Sequence, residues 1–196
     1  LGVGDRPYLL ELGRIDDHKG SKMLNAYFRC YKERRPGPLA LAHVGPLSSD
    51  IQAGPDVVIT GPVGESEKWD LLRDSAALVS ASALESFSIV VMEAWQQGVP
   101  VIVNSACDPT REHCEESGGG LWFGSYREFE VILDALSADR RLRHRLGKAG
   151  QHYVREHFAW PAVVDRYARF LSAVAEHAGP PSQVHGRLDI SGVPSL

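Results

Sequence analysis

The constraint that most limits how this chain can fold is an alternation. Short apolar runs, several closed by Gly, are followed by stretches whose apolar residues recur at helical spacing. "YLLELG" (8–13), "LALAHVG" (39–45), "DVVITG" (56–61), "AALVSAS" (76–82) and "VPVIVNS" (99–105) read as strands, with "GLWF" (120–123) a weaker sixth. Between the first two, Ser21 can cap a helix over 21–35 that stops at Pro36, with Met23, Leu24, Tyr27, Phe28 and Tyr31 at helical spacing. "ESEKWDLLRDS" (65–75) is also helical, with Trp69, Leu71 and Leu72 on one side. Strands alternating with helices predict an α/β fold, a Rossmann-like doubly wound parallel sheet of about six strands.

"SIVVMEAWQQG" fits strand or helix on β-branched content alone. Its length, Ser86 or Ser88 as a cap and Gly98 as terminator favour a buried helix. From residue 125 the chain is nearly all helix, with Phe129, Ile132, Leu133 and Leu136 facing inward and Pro161 at the first position of a last helix. Residues 1–178 are therefore expected to form one domain. Residues 179–196, rich in Gly, Pro and Ser, are expected to be a flexible tail. The chain opens without an initiator Met or a signal-peptide pattern and reads as part of something longer.

Composition narrows the function. A 196-residue chain, 43% hydrophobic, buries enough surface to stand without disulfides or metal. A net charge of −4, with acid and base mixed along the chain, argues against a nucleic-acid or anionic-membrane binder. No apolar run approaches a membrane span. Cys30, Cys107 and Cys114 lack zinc-ribbon spacing and read as buried or idle thiols in a reducing compartment.

Ligands of doubly wound sheets bind outside the carboxyl ends of the strands. Those ends carry Gly13 and the loop Arg14–Gly20, Gly45-Pro46, Gly61-Pro62-Val63, Glu85 and Asn104. Arg14 and Lys19 lie beside a helix start, which suits a phosphate or diphosphate; they can equally pair with Asp16 and Asp17 on a solvated turn. Backbone amides near Ser86, Phe87 and Ser88 start a second helix at the same rim, where Glu85 can accept from a sugar hydroxyl. Glu93, a turn deeper, can accept from vicinal hydroxyls such as a ribose, and its apolar neighbours mean that it needs a partner. No GxGxxG or Walker loop is present. A metal site among Asp108, Glu112, His113, Cys114 and Glu115 has no standard spacing, and His18, His43 and His113 read as loop or packing residues rather than general bases.

"GRIDDHKGSKMLNAYF", "VVITGPV", "ESFSIVVMEAWQQGVPVI" and "FAWPAVVDRYARFL", in this order over residues 7–176, resemble the carboxyl-terminal, donor-binding domain of retaining GT-B glycosyltransferases of the family 4 type. Glu85 and Glu93 fit that family's E-x7-E signature. The resemblance implies that Arg14 and Lys19 neutralise the diphosphate of a UDP- or GDP-linked sugar. It implies that Glu85 holds the transferred sugar and Glu93 the ribose, and that Phe87 and Ser88 supply main-chain amides. Gly13 belongs to the same rim, and the backbone at Pro62 and Val63 would meet the base. It implies a metal-independent, configuration-retaining transfer with no cofactor, in which the nucleotide sugar is a substrate. The acceptor would bind on an amino-terminal domain that this chain lacks, so the chain alone is expected to be inactive. The expected setting is cytoplasmic, with peripheral contact at the inner membrane face through the missing domain. Half of a retaining sugar phosphorylase and a non-catalytic module of the same fold are the alternatives. Glu11 departs from the family in the first strand, as do Ser86 and Ser88 where glycines are common.

Overall fold

The computed structural model describes residues 4–177, in two compact units that divide after His157. The expected tail at 179–196 lies outside the described residues. In the first unit the six apolar runs form β1 (Tyr8–Leu12), β2 (Ala40–Val44), β3 (Val57–Gly61), β4 (Ala77–Ser80), β5 (Val101–Asn104) and β6 (Gly120–Phe123). All pair in parallel, in the order β3-β2-β1-β4-β5-β6. The chain reverses its winding between β1 and β4, and the loops after those two strands diverge to leave a crevice.

Helices α1 (Ser21–Arg34), α2 (Glu65–Asp74), α3 (Ile89–Gln96), α4 (Asp108–Ser117), α5 (Tyr126–Ala138) and α6 (Arg140–His157) complete this unit. The core is built as the periodicity required. Phe28 of α1 and Phe129 of α5 are wholly buried with Leu9, Leu41 and Ile102 from the sheet. Phe123 and Phe129 meet edge to face at 5.2 Å, and Tyr27 closes on both. Burying such a ring stabilises the fold by roughly 1.5–3 kcal/mol. On α3, Trp95 is fully buried and its indole N–H donates to the Gly119 carbonyl at 2.9 Å. Gly147 and Gly150 of α6 bring that helix onto α3. A Cβ at Gly147 would stand 1.8 Å from the Gly98 carbonyl oxygen, and one at Gly150 2.1 Å from the Trp95 ring.

Two local expectations need correction. Ser21 does not cap α1: Gly20 takes the position before the helix with φ 75°, and the Ser21 hydroxyl donates to Glu11 Oε1 at 2.8 Å. Ser88 does precede α3, but with φ 62° and no side-chain capping bond. Residues 108–117, weighed as possible metal ligands, are a helix with Pro109 in its first turn and Gly118 closing it at φ 62°.

The second unit contributes α7 (Trp160–His177). No residue of α7 is buried, and Trp160, Val164, Tyr167, Leu171 and Val174 recur at intervals of three and four along one face.

Candidate functional site

The crevice at the β1/β4 switch has two lobes. One, about 430 Å³, is lined by Glu11, Gly13, Arg14, Lys19, Glu85, Phe87 and Ser88. The other, about 350 Å³, is lined by Gly45, Pro46, Pro62, Val63, Lys68 and Glu93. Leu12, Gly13, Ile89 and Val90 belong to both walls, which makes the lobes one continuous site. Arg14, Lys19, Glu85, Phe87, Ser88, Glu93, Gly13, Pro62 and Val63 thus line one crevice. A separate cavity of about 340 Å³ at the amino ends of β1 and β4 holds none of them.

Backbone geometry fixes the walls. The Gly13 amide donates to the Val44 carbonyl at 3.0 Å, and the Ile15 amide to that of Pro46 at 2.9 Å, which tethers the β1 loop to the β2 loop. Gly45 has φ 139°, and a Cβ there would stand 1.8 Å from the Gly13 carbonyl oxygen, so no side chain fits beneath the shared wall. Across the crevice the Ser82 hydroxyl reaches the carbonyls of His18 and Leu84, at 3.3 and 2.9 Å. The Asn104 amide donates to the Ala81 carbonyl at 3.0 Å.

In the first lobe Lys19 Nζ lies 2.6 Å from Glu85 Oε1, bridging the loop after β1 and the loop after β4. Arg14 pairs with Asp16 while its own side chain remains 60% exposed. The pairing reading of this loop holds for Arg14, which has the local carboxylate, whereas Lys19 reaches across to Glu85 instead of Asp16 or Asp17. The Lys19 backbone amide donates to Asp16 at 2.9 Å. That bond, then the Arg14 charge, holds the Asp16 carboxyl below the usual range. Asp17 is lowered first by the Ser49 hydroxyl and then by Lys22.

Ser88 is the one non-glycine residue with positive φ among the described residues, and its buried hydroxyl has no partner. An L-residue in this region carries strain of roughly 1–2 kcal/mol. Phe87 meets His113 of α4 edge to face at 5.4 Å, and His113 Nδ1 is 3.0 Å from the Tyr153 hydroxyl of α6. Burial pushes the His113 pKa down against the opposing pull of Glu116 and Glu112.

In the second lobe Glu93 has the partner that its apolar neighbours required. Lys68 of α2 bonds Glu93 at 2.8 Å and Glu65 at 2.8 Å. Burial alone would lower the Lys68 pKa, but the two carboxylates outweigh it and leave the pKa raised. Lys68 is a site residue that the sequence did not disclose. Glu11, the departure in β1, is buried and accepts from Ser21 and from the ring of His43, its register partner on β2. Among the described residues no three His, Cys, Asp or Glu side chains gather as metal ligands, and no helix is long and apolar enough to cross a membrane.

Known proteins resemble this chain in sequence and in fold. The chain is 28% identical over 193 residues to the GDP-mannose-dependent alpha-(1-6)-phosphatidylinositol monomannoside mannosyltransferase of Mycolicibacterium smegmatis, covering 89% of this chain and 50% of that protein. It is 30% identical over 174 residues to the D-inositol 3-phosphate glycosyltransferase of an Arthrobacter species, covering 82% of this chain and 41% of that one. The chain thus spans half or less of the length of these relatives. Anabaena HepE, solved with UDP and glucose, superposes with a TM-score of 0.72 at 18% identity over 88% of this chain and 50% of its own, a likeness of fold. The order of the strands, the crevice at their switch and the sequence relatives agree with a family model, glycosyl transferases group 1, that matches residues 2–153. The chain belongs to that family of GT-B glycosyltransferases.

Proposed function

We propose that this chain is the donor-binding half of a retaining glycosyltransferase that uses a nucleotide-diphosphate sugar. The observation that carries the reading is the two-lobed crevice, with Lys19, Arg14 and Glu85 in one lobe, Lys68 and Glu93 in the other, and the start of α3 between them. The reading puts the diphosphate along the shared wall, between the head of α3 and the two cations of the β1 loop. Each charge-assisted bond contributes about 1.5–3 kcal/mol. Glu85 accepts from a sugar hydroxyl, Glu93 from the ribose, and the backbone at Pro62 and Val63 flanks the base.

In the transfer, the bond between the sugar's anomeric carbon and the diphosphate oxygen breaks, and a bond to the acceptor oxygen forms on the same face. The acceptor's proton passes to the leaving diphosphate. Negative charge that builds on that group is met by Lys19, Arg14 and the head of α3, so these groups supply the stabilisation that a metal ion would otherwise give. The acceptor binds on a second, amino-terminal domain. Without it the chain binds donor and does not transfer, and any contact of the whole enzyme with the inner membrane face is made through that domain.

One relative's name specifies GDP-mannose and one solved neighbour holds UDP and glucose, so the titration compares both bases. Calorimetric titration of the chain with UDP, GDP, ADP and inorganic phosphate, in chelator, tests the reading. Selective binding of one nucleoside diphosphate is expected. Phosphate binding without nucleotide preference would replace this reading with that of a sugar phosphorylase.

A further inference from the structure

Strand β1 carries a carboxylate where its own pattern calls for an apolar residue. Leu9 of β1 and Leu41 of β2 are buried in the core, and side chains two positions further along a strand return to the same face. Those positions hold Glu11 and His43, which are register partners and are both buried. Glu11 Oε1 accepts from the Ser21 hydroxyl at the head of α1, at 2.8 Å, and Oε2 is bonded to His43 Nδ1. His43 Nε2 has no partner among the described residues, so the polar contact of this ring is the one with Glu11. Taking a carboxylate and an imidazole out of water is costly, and a well-packed apolar pair in their place is often as stable or more so. Stability of the sheet therefore does not account for the pair. Its place does, because Glu11 lines the first lobe of the crevice.

The charged residues that line this lobe are Arg14, Lys19, Glu11 and Glu85. In the second lobe, Lys68 is already shared between Glu65 and Glu93. On the donor-binding reading proposed above, on which this inference rests, the diphosphate engages Arg14 and Lys19. The sugar is then left to face two carboxylates with no cation to spare. We propose that Glu11 is a specificity-determining residue of the first lobe, which together with Glu85 admits a neutral sugar and rejects an acidic one such as a uronic acid.

The chemistry of the two carboxylates sets this choice. An ionised carboxylate only accepts hydrogen bonds, and each oxygen has more than one lone pair. Ser21 and His43 hold the Glu11 oxygens in one orientation and leave acceptor capacity for a sugar hydroxyl. A carboxylate on the sugar has no hydrogen to offer and would lie in a lobe of like charge. Glu11 is 5% exposed and the Glu85 side chain 15%, so the repulsion is screened far less than between surface groups. Discrimination here comes from a built-in repulsive element as much as from the hydrogen bonds to the favoured sugar.

The test is calorimetric titration of the 196-residue chain with UDP, UDP-glucose and UDP-glucuronate, and with GDP, GDP-mannose and GDP-mannuronate. Within each set the two sugars differ by one carboxylate. With the base that the chain prefers, the neutral donor is expected to bind about tenfold or more tightly than its uronate. Glu11→Gln keeps the shape and removes the charge, and should narrow that ratio by about threefold or more. The variant separates the local effect from the general repulsion of a chain with net charge −4. The double variant Glu11→Leu/His43→Leu, which removes the buried pair as a unit, is read beside it and should narrow the ratio likewise, with melting temperatures taken for both. A uronate that binds the parent as tightly as its neutral counterpart, or a ratio that neither variant changes, would overturn the proposal and leave the donor reading in place. Binding of neither nucleotide by the parent would overturn the donor reading, and this inference with it.

Discussion

At the scale of single residues, the crevice separates charge from strain. Replacing Arg14 and Lys19 together with Ala is expected to weaken nucleoside diphosphate binding by about 3 kcal/mol or more, since two charge-assisted bonds are lost, while binding of the bare nucleoside changes little. Calorimetry of the two ligands side by side checks this, and equal losses would place the defect in folding. Ser88→Gly tests the other quantity. It removes the left-handed strain at φ 62° and costs some backbone entropy, so a net gain of about 0.5–1 kcal/mol is expected, read as a rise in melting temperature of about 1–4 °C. A fall would mean that the hydroxyl contributes more than its conformation costs. Of these residues the sequence disclosed the identities and the neighbourhood. It did not disclose the strain at Ser88, which depends on how the loop enters α3, nor Lys68, whose bond to Glu93 joins two helices whose packing no local pattern records.

At the scale of elements, the α3–α6 contact depends on glycine. Ala is the better helix former by about 1 kcal/mol, yet Gly147→Ala would set a methyl 1.8 Å from the Gly98 carbonyl oxygen. Overpacking of this kind costs typically 1–3 kcal/mol, and against backbone more. The substitution is expected to lower the melting temperature by several degrees, and an unchanged value would show that α6 slides freely on α3. His113 joins α4 to this contact through Tyr153. Its pKa is lowered on folding, mainly by burial. The unfolded chain therefore binds the proton more readily, and the stability His113 contributes is full above about pH 6.5 and declines as pH falls toward its folded value. Denaturant melts at pH 7.5 and 5.5 should show this decline in the parent and a smaller one in His113→Gln. The strands and α1, α2, α3 and α5 were legible because their apolar periods are strong. Helix α4 was not, because "DPTREHCEES" presents few apolar residues and its buried face is only Thr110 and Cys114. Its Pro and Gly end signals were there to be read.

At the scale of the whole molecule, a ligand that grips both lobes ties together the β1 loop, α2 and α3, which are far apart in sequence. A nucleoside diphosphate at a hundredfold excess over its dissociation constant should add about 2.7 kcal/mol to the stability of the first unit, a shift of about 5–10 °C, whereas inorganic phosphate should give much less. Thermal scans with each ligand measure this. The Lys19–Glu85 bridge has a consequence for selectivity. A crevice whose cation is already answered by its own carboxylate is a poor trap for the small anions that crowd any cell. An intruder that draws Lys19 away strands Glu85 without a counter-charge and gains little by the exchange. On the proposed reading, only a molecule bearing an anion and a hydroxyl at the right separation satisfies both halves at once, so the resting site excludes by bookkeeping of charge what it has no wall to keep out.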